Sequence, residues 1–101
     1  MALKKEIELE NGVIVNYHRI VSINKITNNS NIIEIASYTN EGKRQEEIEA
    51  IKNGKETGEA VSINIFIDTT YLNKNYDETE TIEDAYKYLK TINKFKDAED
   101  I

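Results

Sequence analysis

The segment VSINIFIDTTY, residues Val61–Tyr71, constrains the fold most, because its apolar residues alternate with polar ones. The apolar residues at odd-numbered positions are Val61, Ile63, Ile65, Ile67 and Tyr71. Phe66 is the only apolar residue at an even-numbered position between them. Successive side chains of a strand point to opposite faces of a sheet, so this spacing predicts a strand buried on one face. The rest of the chain must then cover that face.

Length and composition predict one globular domain over residues 1–101, with 39% apolar and 32% charged residues. This balance is too apolar for a disordered tail and too polar for a membrane protein. No apolar run approaches the ~20 residues of a membrane-spanning helix. Lys4 and Lys5 precede acidic residues instead of an apolar secretion segment. We expect a protein that stays in the compartment where it is made and does not enter a membrane.

Three residue counts argue against whole classes of function. The chain has no Cys, which excludes disulfides and thiolate chemistry, and His18 is its only histidine, which excludes a His-rich metal site. The net charge of -6 argues against nonspecific binding to nucleic acid, which needs basic residues. We therefore expect no zinc site, no cofactor and no direct contact with nucleic acid.

The N-terminal region has the pattern of a β-hairpin around Glu10-Asn11-Gly12. A two-residue turn would pair the apolar residues of the first strand with a mixture of apolar and polar residues on the second. A three-residue loop with Gly12 in a left-handed G1 bulge pairs Leu9 with Val13 and Ile7 with Val15. We predict this bulged hairpin. One face of this hairpin is predicted to be apolar, with Arg19 as the only interruption. It contains Ile7, Leu9, Val13, Val15, Tyr17, Val21 and Ile23.

Two helices and a central strand complete the prediction. The segment Ile32–Thr39 is apolar on both sides, as in a strand inside a sheet. A short amphipathic helix is predicted over Lys43–Lys52, with Ile48 and Ile51 on its apolar side and Gly54 ending it. A second helix begins after the N-cap Thr81. Its apolar stripe contains Ile82, Ala85, Tyr86 and Leu89, and its C-terminal end carries Lys87, Lys90 and Lys94.

The predicted fold is α+β, with a mostly antiparallel four-stranded sheet arranged as a β-meander that starts with the bulged hairpin. The C-terminal helix packs across one face, and the short helix lies between strands 3 and 4. That connection is also about long enough for a parallel crossover, so the pairing of strands 3 and 4 stays open. Residues 96–101 are expected to form a frayed or partner-bound tail.

The segment Asn73–Asp84 spaces oxygen-bearing side chains as a calcium loop does. The six residues at ligand positions are Asn73, Asn75, Asp77, Thr79, Thr81 and Asp84. Glu78 stands where the sharp turn needs glycine, Glu80 stands at the apolar position, and a strand instead of a helix precedes the loop. We predict no metal here, but an acidic loop that caps a helix.

Two further clusters have simple interpretations. In Tyr17-His18-Arg19 the side chains alternate, so they cannot converge, and we predict a solvated His18 and no catalytic residues. Acidic side chains could imitate phosphates toward a nucleic-acid-binding partner, although a solvated face is the simpler interpretation. These acidic residues are Glu78, Glu80, Glu83, Asp84, Asp97, Glu99 and Asp100.

Tyr88, Ile92 and Phe95 form a shoulder that widens the apolar arc of the C-terminal helix. A wide stripe can simply pack into the core. Alternatively, the three side chains form an exposed patch for self-association or docking of a partner, and they are our candidate interface.

Four segments resemble a family of small, mostly uncharacterised phage and prophage proteins of low-GC Gram-positive bacteria, commonly encoded near tail and baseplate genes. They are MALKKEIELENGV, NYHRIVSI, YLNKNYDETETIEDAYKYLK and FKDAED. The resemblance implies a structural or accessory role in the phage, with no catalytic residues to carry over. Such a protein would occupy the host cytoplasm during infection, or the virion.

We therefore expect a non-enzymatic, tail-associated protein that acts through contacts with virion components or with itself. The alternative is a small acidic phage inhibitor that binds a host or defence protein such as a nuclease.

Overall fold

One antiparallel sheet organises the part of the chain that the computed structural model describes, residues 1–58 and 66–101. The strands are β1 (Leu3–Glu8), β2 (Ile14–Ile26), β3 (Ser30–Tyr38), β4 (Asp68–Asn75) and β5 (Glu99–Asp100). The helices are α1 (Glu41–Thr57) and α2 (Ile82–Leu89), followed by a 3-10 turn (Asn93–Phe95). The strand order is β4-β3-β2-β1-β5, and every neighbouring pair is antiparallel. The α+β class is confirmed, and β3 and β4 are not joined by a parallel crossover.

The bulged hairpin is confirmed between β1 and β2. Ile7 pairs with Val15, and the Leu9 N–H donates to the Val13 carbonyl at 2.8 Å. Gly12 has a φ of 84°, in the left-handed region that glycine enters without a steric penalty. The three-residue loop therefore sets the register that the apolar pattern requires.

The predicted common face of the hairpin breaks down within β2, because the register shifts twice. One shift lies between Lys4 and Ile7 of β1, and the other lies between Ile20 and Ser22 of β2. Each irregularity exchanges the faces of the residues that follow it. Before the shift in β2 the even-numbered residues His18 and Ile20 are buried; after it the odd-numbered Ile23 packs against the core, and Val21, at the shift itself, is exposed.

The central prediction for β4 was partly wrong and partly falls outside the described residues. Val61–Ile65 is not described, and β4 begins only at Asp68. Ile67 and Tyr71 are exposed. The opposite parity faces the core, since Thr70 pairs with Ile35 and Leu72 with Ile33. Buried neighbours on β3, and not the apolar count along β4 itself, decide which parity is inward.

The apolar core lies between one face of the sheet and α2. It contains Leu3, Ile20, Ile33, Ile35, Ala85, Tyr86, Leu89, Phe95 and Ala98. Thr81 caps α2 as predicted, in a reciprocal capping box with Asp84. The apolar stripe is confirmed except for Ile82, which is exposed at the first position of the helix. The helix ends at Leu89, so Lys94 lies beyond it in the 3-10 turn.

The helix α1 packs on the opposite face of the sheet and is longer than predicted. Asn40 caps its start by accepting from the Lys43 N–H at 3.0 Å. It continues through Gly54 and ends at Gly58, whose N–H donates to the Gly54 carbonyl at 2.8 Å. Gly58 has a φ of 73°, so it, and not Gly54, is the glycine that ends the helix. No helix among the described residues is long and apolar enough to cross a membrane.

The last residues form part of the sheet, where the sequence predicts a frayed or partner-bound tail. In β5, Glu99 pairs with Lys4 and Asp100 with Leu3. Ala2 and Ile101 exchange two backbone hydrogen bonds of 3.0 and 3.1 Å. The added strand therefore satisfies backbone groups of β1 that would otherwise face water.

Candidate interaction surface

The only histidine is buried, contrary to the prediction of a solvated side chain. His18 Nε2 lies 2.8 Å from the Lys5 carbonyl oxygen, and Nδ1 lies 2.7 Å from Ser37 Oγ. A carbonyl oxygen can only accept, so Nε2 carries the proton; in the neutral ring Nδ1 then accepts from the Ser37 hydroxyl. The ring also packs edge-on against Phe95, with centroids 5.2 Å apart.

The pair of His18 and Ser37 resembles part of a hydrolytic triad, but its hydrogen bonds hold strands together. Both side chains are buried, and a backbone carbonyl occupies the second ring nitrogen. Burial lowers the pKa of His18; the hydrogen bond to the Lys5 carbonyl opposes this shift, and the charges of Lys94 and Lys5 add to it. A buried neutral imidazole with both nitrogens bonded holds β1, β2 and β3 together, and it offers no open position to a substrate.

A second buried cluster joins α1 to the sheet. Glu47 Oε1 accepts from the Tyr38 hydroxyl at 2.8 Å and from Arg19 at 3.2 Å, and it also accepts from Arg44. Arg19 Nε donates to the Tyr38 hydroxyl at 2.9 Å. Two guanidinium groups and a phenol thus compensate the carboxylate that α1 buries. The sequence prediction placed Ile48 and Ile51 on the inner side of α1 and missed Glu47.

A third cluster ties the loop before α2 to β3 and contains residues of the calcium-loop pattern. Asn31 donates to Glu80 at 2.8 Å and to the Asp77 carbonyl at 2.9 Å, and Lys74 donates to Glu80 at 2.5 Å. Asn73 and Asn75 lie in β4 and are not loop residues. Among residues 1–58 and 66–101, no three His, Asp or Glu side chains are placed to hold a metal ion.

The predicted interface residues Tyr88, Ile92 and Phe95 do not form one exposed patch. Phe95 is fully buried in the core, and Tyr88 and Ile92 are half-buried. The ammonium of Lys74 lies 4.7 Å from the centroid of the Tyr88 ring. The shoulder breaks up because α2 ends at Leu89, and the 3-10 turn that follows points Phe95 inward. Phe95 is therefore unavailable to a partner in this structure.

Beyond α1, one face of the sheet carries exposed side chains in the part of the chain that the structure describes, and we call it the open face. Its residues are Ser22, Asn24, Ile32, Glu34, Tyr71 and Asn73, which pair across β2, β3 and β4 as Ser22–Glu34–Tyr71 and Asn24–Ile32–Asn73. Directly paired residues of neighbouring strands share a face. Tyr71 is 65% exposed at the centre of the β4 edge. Its hydroxyl is hydrogen-bonded to Glu34, and this carboxylate raises the pKa of the phenol.

The open face combines one tyrosine with serine, asparagine, glutamate and isoleucine side chains. Tyrosine supplies a large, rigid contact area, and serine and asparagine supply adaptable hydrogen bonds. The sequence prediction missed this face because it assigned Tyr71 to the core. The alternation of Ser22 and Asn24 with apolar neighbours, and of Asn73 with Leu72, was the available signal.

Comparison of the chain with protein-family models, with curated proteins and with solved structures finds no match.

Proposed function

We propose that the chain is a non-enzymatic phage structural or accessory protein, associated with the tail or baseplate, that binds a protein partner through the open face. The observation that carries this proposal is the exposed Tyr71, on a sheet face where Ser22, Asn24 and Asn73 are also exposed. An exposed aromatic side chain in such a setting is a typical anchor of a protein interface. The resemblance of four sequence segments to phage proteins supports the choice of partner.

The use of the polar side chains supports the same proposal. His18, Glu47 and Glu80 are the kinds of residue from which active sites are built, and each is buried in hydrogen bonds that hold elements of the fold together. Within the described residues, no buried side-chain nitrogen or oxygen lacks a hydrogen-bond partner. A binding surface on a rigid sheet fits this distribution, because the polar groups are committed to holding the scaffold.

Affinity capture from an infected host tests the proposal. The bait is the wild-type chain or its Tyr71→Arg variant. The wild-type chain should recover virion proteins, and the variant should recover at least tenfold less of them, because an arginine cannot fill the site of the phenol ring. Ile14→Arg is the matched control, since Ile14 is an exposed strand residue outside the open face. Particles that lack the chain by mass spectrometry would contradict the proposal. Recovery of one host nuclease or defence protein would instead favour the inhibitor alternative.

A further inference from the structure

Two exposed apolar positions on this protein have surroundings of opposite charge. The first is a groove of about 310 Å³ along α1, which we call the basic groove. Ile48 and Ile51 form its apolar part, and Arg44, Lys52 and Lys55 line it with positive charge. Ile48 is 41% exposed. In a chain with a net charge of -6, this concentration of cations beside apolar side chains is distinctive.

The basic groove exists because α1 turns Glu47 toward the sheet. Residues three and four apart share a side of a helix, so Arg44, Ile48 and Lys52 lie on one line beside the buried carboxylate. Glu46, two residues from both Arg44 and Ile48, lies exposed on the opposite side of α1. Arg44 is held by Glu47, whereas Lys52 and Lys55 have no ion-pair partner among the described residues. Both lysine side chains are exposed.

The second position is Ile82, at the start of α2. We call Ile82, Glu78 and Glu83 together the acidic knob. Ile82 is 47% exposed although Ala85 and Tyr86, one turn later, are buried. The capping box that fixes the first turn holds Ile82 at the surface. Glu83 is only loosely paired, with Lys87 3.8 Å away and both side chains well exposed. Such an exposed pair contributes little and can exchange partners.

We infer that the acidic knob of one copy of this chain docks into the basic groove of another copy. The helices α1 and α2 pack on opposite faces of the sheet, so the two surfaces cannot meet within one molecule. Joining them buries Ile82 against Ile48 and Ile51 and brings the acidic carboxylates to the exposed Lys52 and Lys55. The contact uses a different surface on each copy, so it builds a ring or a filament instead of a closed dimer. This inference rests on the proposed role in protein contacts and names the chain itself as a partner.

A charge exchange between two variants tests the inference by sedimentation velocity at low salt. The wild-type chain should sediment as species larger than the monomer, in proportions that rise with concentration and fall with added salt. Lys52→Glu and Glu83→Lys should each weaken association about tenfold when studied alone, because like charges then meet in every contact. An equal mixture of the two variants should regain association, because each contact again joins opposite charges. Glu46→Lys, which makes the same charge change on the side of α1 opposite the basic groove, should associate as the wild type does.

Three results would overturn the inference: a wild-type chain that stays monomeric at all concentrations, association that neither single variant weakens, or a mixture that does not regain it. Circular dichroism of each variant checks that the fold is intact, and Ile82→Ser, which changes no charge, must also weaken association. None of the substituted residues belongs to the open face. The two experiments can therefore fail separately. If the chain does not self-associate, it should still capture virion proteins through Tyr71. If it does not capture virion proteins, the sedimentation test is unaffected.

Discussion

At the scale of single residues, His18 shows how burial changes the role of a side chain. A histidine in water would titrate near its ordinary pKa of 6.5. Here the buried ring packs edge-on against Phe95 with both nitrogens bonded, so burial disfavours the charged form and lowers the pKa. The folded protein therefore resists a proton that the unfolded chain accepts.

This difference predicts a pH dependence of stability. As the pH falls below about 6.5, the unfolded chain binds a proton before the folded chain does, so the free energy of unfolding of the wild type decreases until the lower folded pKa is reached. The slope contributed by one such group is at most about 1.4 kcal/mol per pH unit. Urea denaturation of the wild type and of His18→Gln between pH 7.5 and pH 5.5 measures it, where His18→Gln should lack this part of the slope. Equal slopes in both proteins would contradict the prediction.

At the scale of elements, α1 is attached to the sheet mainly by charge. Its most buried side chain is Glu47, while Ile48 remains exposed. Counting apolar residues predicts the helix but not its inward side chain, because α1 buries a carboxylate compensated by Arg19 from β2. The partner that makes this burial favourable is 28 residues away in the chain.

Removing this attachment should destabilise the protein strongly. Glu47→Ala leaves two partly buried guanidinium groups and a phenol without their common partner, so we expect a loss of about 3 kcal/mol. Glu46→Ala, at an exposed neighbouring position, should stay within about 0.5 kcal/mol of the wild type. Urea denaturation gives both values, and hydrogen exchange should show the amides of α1 losing protection before those of α2. Similar values for the two variants would show that the cluster does not hold α1.

The end of α1 gives a second prediction at this scale. Gly58 adopts a φ of 73°, and a Cβ placed there meets no atom within 4 Å, so only backbone strain opposes a side chain. Gly58→Ala should therefore cost about 1 kcal/mol, and Gly58→Asn should cost less because asparagine tolerates the left-handed region. Thermal denaturation of the two variants gives the order. An alanine variant as stable as the wild type would contradict the assignment of Gly58 as the C-cap.

At the scale of the whole molecule, Tyr86 connects segments that are far apart in sequence. Its hydroxyl accepts from the Ile20 N–H at 2.9 Å and donates to the Met1 carbonyl at 2.9 Å. Burial raises the pKa of this phenol, which keeps it in the neutral form that can donate. One side chain of α2 thereby fixes β2 and the first residue of the chain beside the strand pair β1 and β5.

Tyr86→Phe tests this connection. The change removes both hydrogen bonds and leaves the buried Ile20 N–H without a partner, so the free energy of unfolding should fall by about 1 to 3 kcal/mol. Tyr71→Phe also removes a hydroxyl, but at an exposed position, and it should change stability by less than about 0.5 kcal/mol. Chemical denaturation of both proteins provides the comparison. Equal effects would mean that the Tyr86 hydroxyl is not a structural link.

Local patterns in the sequence determined the α+β class, the bulged turn at Gly12 and the start of α2 at Thr81. Each depends on residues close together in the chain, where turn geometry and capping act directly. Tertiary structure alone decided the burial of His18 and Glu47, the inward parity of β4, the addition of β5 and the dispersal of Tyr88, Ile92 and Phe95. In each case the deciding partner is distant in sequence, and the free energy of burying a side chain depends on the partner it finds there.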